Sequence, residues 1–194
     1  MNYLAHLHIA TACESNLMGN LLGDFVKGNP EGRFHPSVVD GIKLHRFVDS
    51  YTDRHPLTAQ AKLLFAREKR RYAPIALDMF WDHALACRFD EYHPISLEQF
   101  SQTAMRTVLR QAQQTEQPLP ERFMRVAKAM HQGQWLSSYQ EFDNIRFALS
   151  RIAQRSPRMT PLAHCGEDLS RESAHLMAIF DQLYSDVLNA AQSF

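Results

Sequence analysis

The stretch Pro36-Ser37-Val38-Val39-Asp40-Gly41-Ile42-Lys43-Leu44-His45-Arg46-Phe47-Val48-Asp49-Ser50-Tyr51 decides the fold class. Its apolar residues return every three or four positions, the period of an amphipathic helix rather than a strand. A helix should begin near Pro36-Ser37 and run towards Tyr51. His55-Pro56 marks a break, because the residue before proline is pushed out of the helical region. The same period governs the chain on both sides. It predicts helices from Asn2 to about Cys13, from Leu17 through Val26, from Leu57 to Tyr72, from Ala73-Pro74 to about Tyr92 and from Ser96 to Gln114. Beyond these it predicts helices from Glu121 to His131, from Trp135 to about Gln154 and from near Asp168 to Ala191. Ser15 and Asn16 can cap the second helix, Ser96 the sixth, and Gly28-Asn29-Pro30 stops the second. With seven glycines in 194 residues and few β-branched runs, an all-α protein is expected. Gln111 to Pro120, rich in Gln with two prolines, reads as the principal loop. It is too short to divide the chain, so residues 1–194 are expected to form one domain.

Apolar residues make up 45% of the chain, enough to fill the core of one domain of this length. Lys plus Arg and Asp plus Glu number 21 each, which removes the global field of a nucleic-acid binder or membrane-surface protein. The balance is uneven: residues 1–75 carry ten basic against seven acidic residues. No basic leader and no long apolar run is present, and a cytoplasmic location is expected. Cys13, Cys87 and Cys165 fit neither a disulfide framework nor a zinc site, and read as free thiols with Cys13 and Cys87 buried.

Histidines and aspartates are scattered through the apolar helices of the first half: His6, Asp24, His45, Asp49, Asp53 and the pair Asp82-His83. An unpaired charge inside a helical core is costly, and a divalent metal would supply the partner. Helical residues four apart differ by only about 40° in direction, so His45 and Asp49 share a face, which Asp53 joins if the helix continues. A His-Asp pair that pins a surface helix fits this spacing too. His6 and His8 point about 200° apart and cannot both serve one site, so one of them is structural or exposed. Asp24 lies among Leu21, Leu22, Phe25 and Val26, where a solvated face explains it poorly. Asn20 shares its face and can bind a ligand, a water or Asp24, or cap structure. Adjacent Asp82 and His83 point about 100° apart and can reach a metal and its surroundings, or a metal and substrate.

Imidazole and carboxylate without thiolate suit Mn²⁺, Fe²⁺, Mg²⁺ or Zn²⁺ at a hydrolytic centre rather than a structural zinc. Such an ion acidifies a bound water and polarises a phosphoryl oxygen. Arg46 can hold phosphate as a planar fork, or be an ordinary surface arginine. Serine-hydrolase elbows, dinucleotide and P-loop glycine motifs and His-Glu-x-x-His are all lacking. The run Arg67-Glu68-Lys69-Arg70-Arg71 reads as a solvated helix end or as a surface for an acidic partner.

Five blocks carry a resemblance in order and spacing. They are Met1-Asn2-Tyr3-Leu4-Ala5-His6-Leu7-His8, Gly19-Asn20-Leu21-Leu22-Gly23-Asp24-Phe25-Val26-Lys27-Gly28, Gly41-Ile42-Lys43-Leu44-His45-Arg46-Phe47-Val48-Asp49, Thr52-Asp53 and Trp81-Asp82-His83. Together they closely resemble the acyl carrier protein phosphodiesterase family, and Gln134-Trp135-Leu136 and Arg155-Ser156-Pro157-Arg158 extend the likeness. The resemblance implies a helical fold like that of the HD phosphohydrolases. It implies Mn²⁺ as cofactor, with Mg²⁺ or Fe²⁺ as alternatives, and removal of 4′-phosphopantetheine from holo acyl carrier protein. The implied metal ligands are His6, Asp24, His45, Asp49, Asp53, Asp82 and His83. A bound hydroxide would attack the phosphodiester, Asp24 would take part in the chemistry, and Arg46 or His83 would steady charge or protonate the leaving serine oxygen. The superfamily's His-Asp dipeptide is absent, since no histidine here precedes aspartate and Asp82-His83 has the reverse order.

The implied partner is a small acidic protein, so a positive docking surface is expected from Lys27, Arg33, Lys43, Arg46, Arg54 and Arg67 to Arg71. Asn20, Lys27, Lys43, Arg46 and Arg54 are the expected substrate-binding residues, and neither nucleic acid nor membrane is an expected partner. Two other readings remain open: a metal-dependent enzyme acting on a nucleotide or other small phosphodiester, and a helical module that binds the carrier protein without cleaving it. Oligomeric state is not legible.

Overall fold

Pro36 opens a nineteen-residue helix that ends at Arg54, and every other regular element is helical too. The computed structural model describes residues 1–194. In chain order the helices are α1 (Tyr3–Ala12), α2 (Leu17–Leu22), α3 (Pro36–Arg54), α4 (Pro56–Leu63), α5 (Ala73–Cys87), α6 (Phe89–Tyr92) and α7 (Leu97–Gln114). They continue as α8 (Glu121–Gln132), α9 (Trp135–Ser138), α10 (Phe142–Ala153), α11 (Cys165–Arg171) and α12 (Ser173–Gln192). Two 3₁₀ segments, Arg67–Lys69 and Pro157–His164, fill bends. The all-α expectation holds.

Local chemistry sets the boundaries. Asn16 accepts a hydrogen bond from the Gly19 N–H at 2.7 Å and starts α2, while Ser96 accepts from Gln99 and starts α7. His35 and His55 cap α3 and α4 through Nδ1, each followed by a proline whose missing N–H would be unpaired anyway. The expected helices are longer than the observed ones at several points. α2 stops at Leu22 rather than Val26, and the segments 57–72, 73–92 and 135–154 are each broken. The breaks fall where the chain must turn over the core, and periodicity alone does not see them. α7 reaches Gln114, inside the expected loop, because Gln111 Oε1 accepts the Met18 N–H at 2.9 Å and ties α7 to α2.

One core of 49 buried residues draws on α1, α3, α5, α7, α8, α10, α11 and α12. α1 is buried on all sides from Leu4 to Ala10, and α5 nearly so from Met79 to Ala86. A helix with no solvent face must satisfy each polar side chain internally. That condition sorts the histidines of α1. His8 shares a 2.7 Å hydrogen bond with the Tyr184 hydroxyl of α12 and is structural, while His6 faces α3. The cysteine expectation is corrected. Cys165 is buried, Cys87 is exposed at the last turn of α5 and Cys13 is partly buried, because α5 ends and leaves Cys87 at the surface.

α2 and α3 approach through glycine. A Cβ on Gly19 would lie 2.5 Å from the Val38 carbonyl oxygen, and one on Gly41 would lie 2.7 Å from that of Asn16. Backbone contact of this kind is open only to residues without a side chain. It brings the C-terminal end of α2 against the His45 turn of α3.

Candidate metal centre and active site

His6 on α1 and His45 and Asp49 on α3 meet at the base of a cleft. Asp49 Oδ1 lies 3.0 Å from His6 Nε2, and Oδ2 lies 3.2 Å from His45 Nε2. The two imidazoles stack with centroids 3.8 Å apart and planes 18° from parallel. Asp24, in the turn after α2, brings Oδ1 to 3.4 Å from His45 Nε2. Both rings are almost wholly buried, whereas Asp24 and Asp49 are nearly half exposed on the cleft side.

The electrostatics are set by this pairing. Burial lowers the His45 pKa, but Asp24 and Asp49 outweigh it and raise it to about 9. His6 goes the other way, to about 4, through burial and repulsion by His45, with Asp49 only partly opposing. Burial pushes Asp49 up, yet the two imidazoles hold it far below the ordinary carboxylate range. Asp24 is likewise lowered, burial being outweighed by His45 and His6. Metal-free, the cluster is therefore an imidazolium and a neutral imidazole around ionised carboxylates.

The cleft above has a volume of about 220 Å³ and is walled by Asp24, Asp49, Asp53 and Asp78 together with Ile75, Met79 and Ile152. Met1 contributes its amino group, 2.7 Å from Asp78 Oδ1 and 3.9 Å from Asp49 Oδ1. Asp78 is a cleft residue that the sequence reading passed over. Its signal was its place four residues before Asp82 on α5, the spacing already applied to His45 and Asp49.

The cluster fits a divalent ion. His6, His45 and Asp49 each offer a ligand atom, all within 4.8 Å of one another. His6 Nδ1, His45 Nδ1 and both amide atoms of the wholly buried Asn20 lack a hydrogen-bond partner. Buried polar atoms without partners are uncommon and mark sites where another group completes the bonding.

Other expected site residues are placed differently. Asp53 lines the cleft without joining the three-ligand cluster. Asp82, wholly buried, accepts from the Leu4 N–H at 2.8 Å with one oxygen and from the Ala5 N–H at 3.0 Å with the other. It thus closes the N-terminal turn of α1, which has no capping side chain of its own. His83 meets the Tyr139 carbonyl at 2.8 Å through Nδ1 and lies beside Cys87. Arg46 donates to the carbonyls of Val26 and Gly28 and clamps the loop after α2. Lys43 pairs with Glu31, and Arg54 donates to the Ser50 carbonyl and hydroxyl one turn back. Lys27 is exposed, and its carbonyl accepts from Arg33. Within 67–71, Lys69 pairs with Asp168, and Arg70 donates to the Phe65 and Leu63 carbonyls.

Gly23 controls the geometry. A Cβ there would stand 2.3 Å from the His45 ring, so Gly23→Ala must displace the imidazole. Mn²⁺ affinity should fall about 10–100-fold, the scale seen when a ligand's support is lost. Isothermal calorimetry on the folded variant checks this, and unchanged affinity would mean that His45 is not a ligand.

An all-helical protein that sets two imidazoles and a carboxylate at the floor of an acidic cleft is, by its donors, of the kind that can hold a divalent cation. The chain belongs to the acyl carrier protein phosphodiesterase family, whose sequence profile matches residues 1–187. Relatives bearing that name include one from Photorhabdus laumondii, 40% identical over 194 residues and covering 100% of this chain and 96% of the relative. Others are from Serratia proteamaculans, 41% identical over 193 residues (99% and 98%), and Escherichia coli O6:H1, 39% identical over 192 (98% and 97%). No solved structure matches, so the expected likeness to the HD phosphohydrolase fold has no counterpart there. No helix is long and apolar enough to cross a membrane.

Proposed function

We propose that this protein hydrolyses the phosphodiester joining 4′-phosphopantetheine to the serine of holo acyl carrier protein, releasing the apo protein and 4′-phosphopantetheine. A divalent ion would be held by His6, His45 and Asp49, with Asp24 beside them. The observation that carries the reading is the His6–Asp49–His45 cluster opening into a cleft, in a chain that shares its whole length with proteins of that name. When bound, the ion supplies Lewis acidity towards a phosphoryl oxygen and acidifies water. Mn²⁺ is the ion the family resemblance implies, and mixed imidazole and carboxylate donors accommodate it. The reading places the enzyme in the cytoplasm, with its carrier substrate.

The chain's own residues then have distinct tasks. Asp49 bridges both imidazoles and fixes their orientation. Asp24, ionised and open to the cleft, orients water by accepting its hydrogen bond. Buried Asp82 anchors α1 and so holds His6 in place. Mass spectrometry of holo acyl carrier protein incubated with the protein and Mn²⁺, beside an EDTA control, tests the reaction. The expected result is loss of the phosphopantetheine mass only where Mn²⁺ is available. An intact carrier with folded, metal-loaded protein would overturn the substrate and direct the search to small phosphodiesters.

Metal binding should release a proton. His6 is already neutral at pH 7, whereas His45, at about 9, is protonated and must lose its proton to ligate. Calorimetry in buffers of differing ionisation enthalpy should read release of about one proton per ion at pH 7. Affinity should rise with pH until His45 is neutral. Affinity independent of pH between 6 and about 9 would exclude His45 as a ligand.

A further inference from the structure

The cleft walls pose an electrostatic problem. Four aspartates line them, against the single amino group of Met1. A phosphodiester brings a further negative charge, and one divalent ion does not neutralise that set. Recognition therefore requires cationic side chains that are near the mouth and not already engaged.

Most basic residues near the cleft and its supporting helices are spoken for. Arg46 is bound to two backbone carbonyls, Lys43 to Glu31 and Arg54 to Ser50. Arg122 and Arg155 are different: both are exposed, and neither guanidinium makes a hydrogen bond or ion pair within the protein. Arg122, in the first turn of α8, lies over the ring of Phe25, 5.6 Å from its centroid. Phe25 adjoins Asp24 and is itself packed edge-on against Phe123. Arg155 follows α10 one turn after Ile152, a cleft residue, and its N–H donates to the Ile152 carbonyl at 3.1 Å. Tyr3, next to cleft residue Asn2, lies within electrostatic reach of both. Burial raises its phenol to about 12, with Asp24 adding to the rise while Arg122 and Arg155 oppose it.

Resting on the carrier protein phosphodiesterase reading, we propose that Arg122 and Arg155 form the anion-binding edge of the cleft and hold the non-bridging oxygens of the substrate phosphodiester. The guanidinium fork suits paired phosphate oxygens, and its approach over Phe25 restricts the orientations open to Arg122. Phosphate specificity would then come from the second half of the chain, opposite the half that supplies the metal ligands. Acidic side chains of the carrier protein are the competing source of negative charge, and the test separates them.

Inorganic phosphate binding to the Mn²⁺-loaded protein, read by calorimetry, is compared among wild type, Arg122→Gln, Arg155→Gln, the double variant and Arg122→Lys. Binding of apo acyl carrier protein to the same set is read by fluorescence anisotropy. Each Gln variant should weaken phosphate about tenfold, the double variant more, and the Lys variant should recover part of the loss. Apo carrier affinity should change less than about twofold in either single variant. Phosphate affinity unaltered by the double variant overturns the proposal, and so does a fall in apo carrier affinity that equals or exceeds the fall in phosphate affinity. Because the phosphate measurement needs no turnover, a wild-type protein inert towards holo carrier would sink the substrate reading alone, with the arginine assignment still standing on the phosphate result.

Discussion

Asp49→Ala is expected to lower release of phosphopantetheine from holo carrier protein by more than about 10²-fold at fixed Mn²⁺, mainly by weakening metal binding. No other side chain touches both imidazoles: one oxygen meets His6 Nε2 and the other lies by His45 Nε2. Removing it takes away a ligand and also the group that orients the remaining two. Neutral His6 and cationic His45 are stacked at 3.8 Å, and without the carboxylate between their nitrogens they repel any added cation more than they attract it while His45 keeps its proton. Asp49→Asn retains shape and one acceptor, and should fall between wild type and Ala in Mn²⁺ affinity. Calorimetric affinities and turnover for the three proteins check the order. Turnover of Asp49→Ala within a few-fold of wild type would remove the cluster from the mechanism.

Asp82→Ala should be strongly destabilising. It leaves the Leu4 and Ala5 N–H groups buried without acceptors, at about 1–3 kcal/mol each. For a chain of this length that corresponds to a fall in Tm of roughly 5–15 °C. The penalty should depend on pH. Burial raises the Asp82 pKa to about 7 although the Leu4 and Ala5 amides oppose it, so its folded pKa lies above its unfolded one. The stability it contributes is then fully present below about pH 4 and is lost as pH rises through about 7. Thermal unfolding of wild type and variant at pH 5 and pH 8 should show the larger gap at pH 5. An absent gap would deny Asp82 its capping role, whereas a gap larger at pH 8 would mean that the two amides outweigh burial in setting its pKa. At low temperature, where the variant is folded, Mn²⁺ affinity should stay within a few-fold of wild type, which a direct ligand would not permit.

These two residues also mark where sequence reasoning reached and where it stopped. The pairing of His45 with Asp49 follows from helical spacing, and the structure places them 3.2 Å apart. Parity along α1 showed that His6 and His8 must have separate fates. Which of them faced α3 depended on the position of Tyr184, 176 residues away from His8, and no local pattern carries that. Asp82 resembled a ligand because a buried aspartate needs a partner. Its partners are backbone N–H groups of another helix, and a backbone has no sequence signature. The engagement of Arg46 was hidden for the same reason, since its acceptors are the carbonyls of Val26 and Gly28. Asp24 reached the cleft because α2 ends at Leu22, four residues before periodicity would end it. Gly23 was visible, but the closeness of His45 to it was not.

The metal centre is tested most directly by pulsed electron paramagnetic resonance of the Mn²⁺-loaded protein, which counts imidazole nitrogens coupled to the ion. Two coupled nitrogens are predicted in the wild type, falling to one in His6→Gln and one in His45→Gln, with both retained in His83→Gln. A tightly bound ion with no nitrogen coupling, or couplings that disappear only in His83→Gln, would contradict the assignment of the centre to His6, His45 and Asp49.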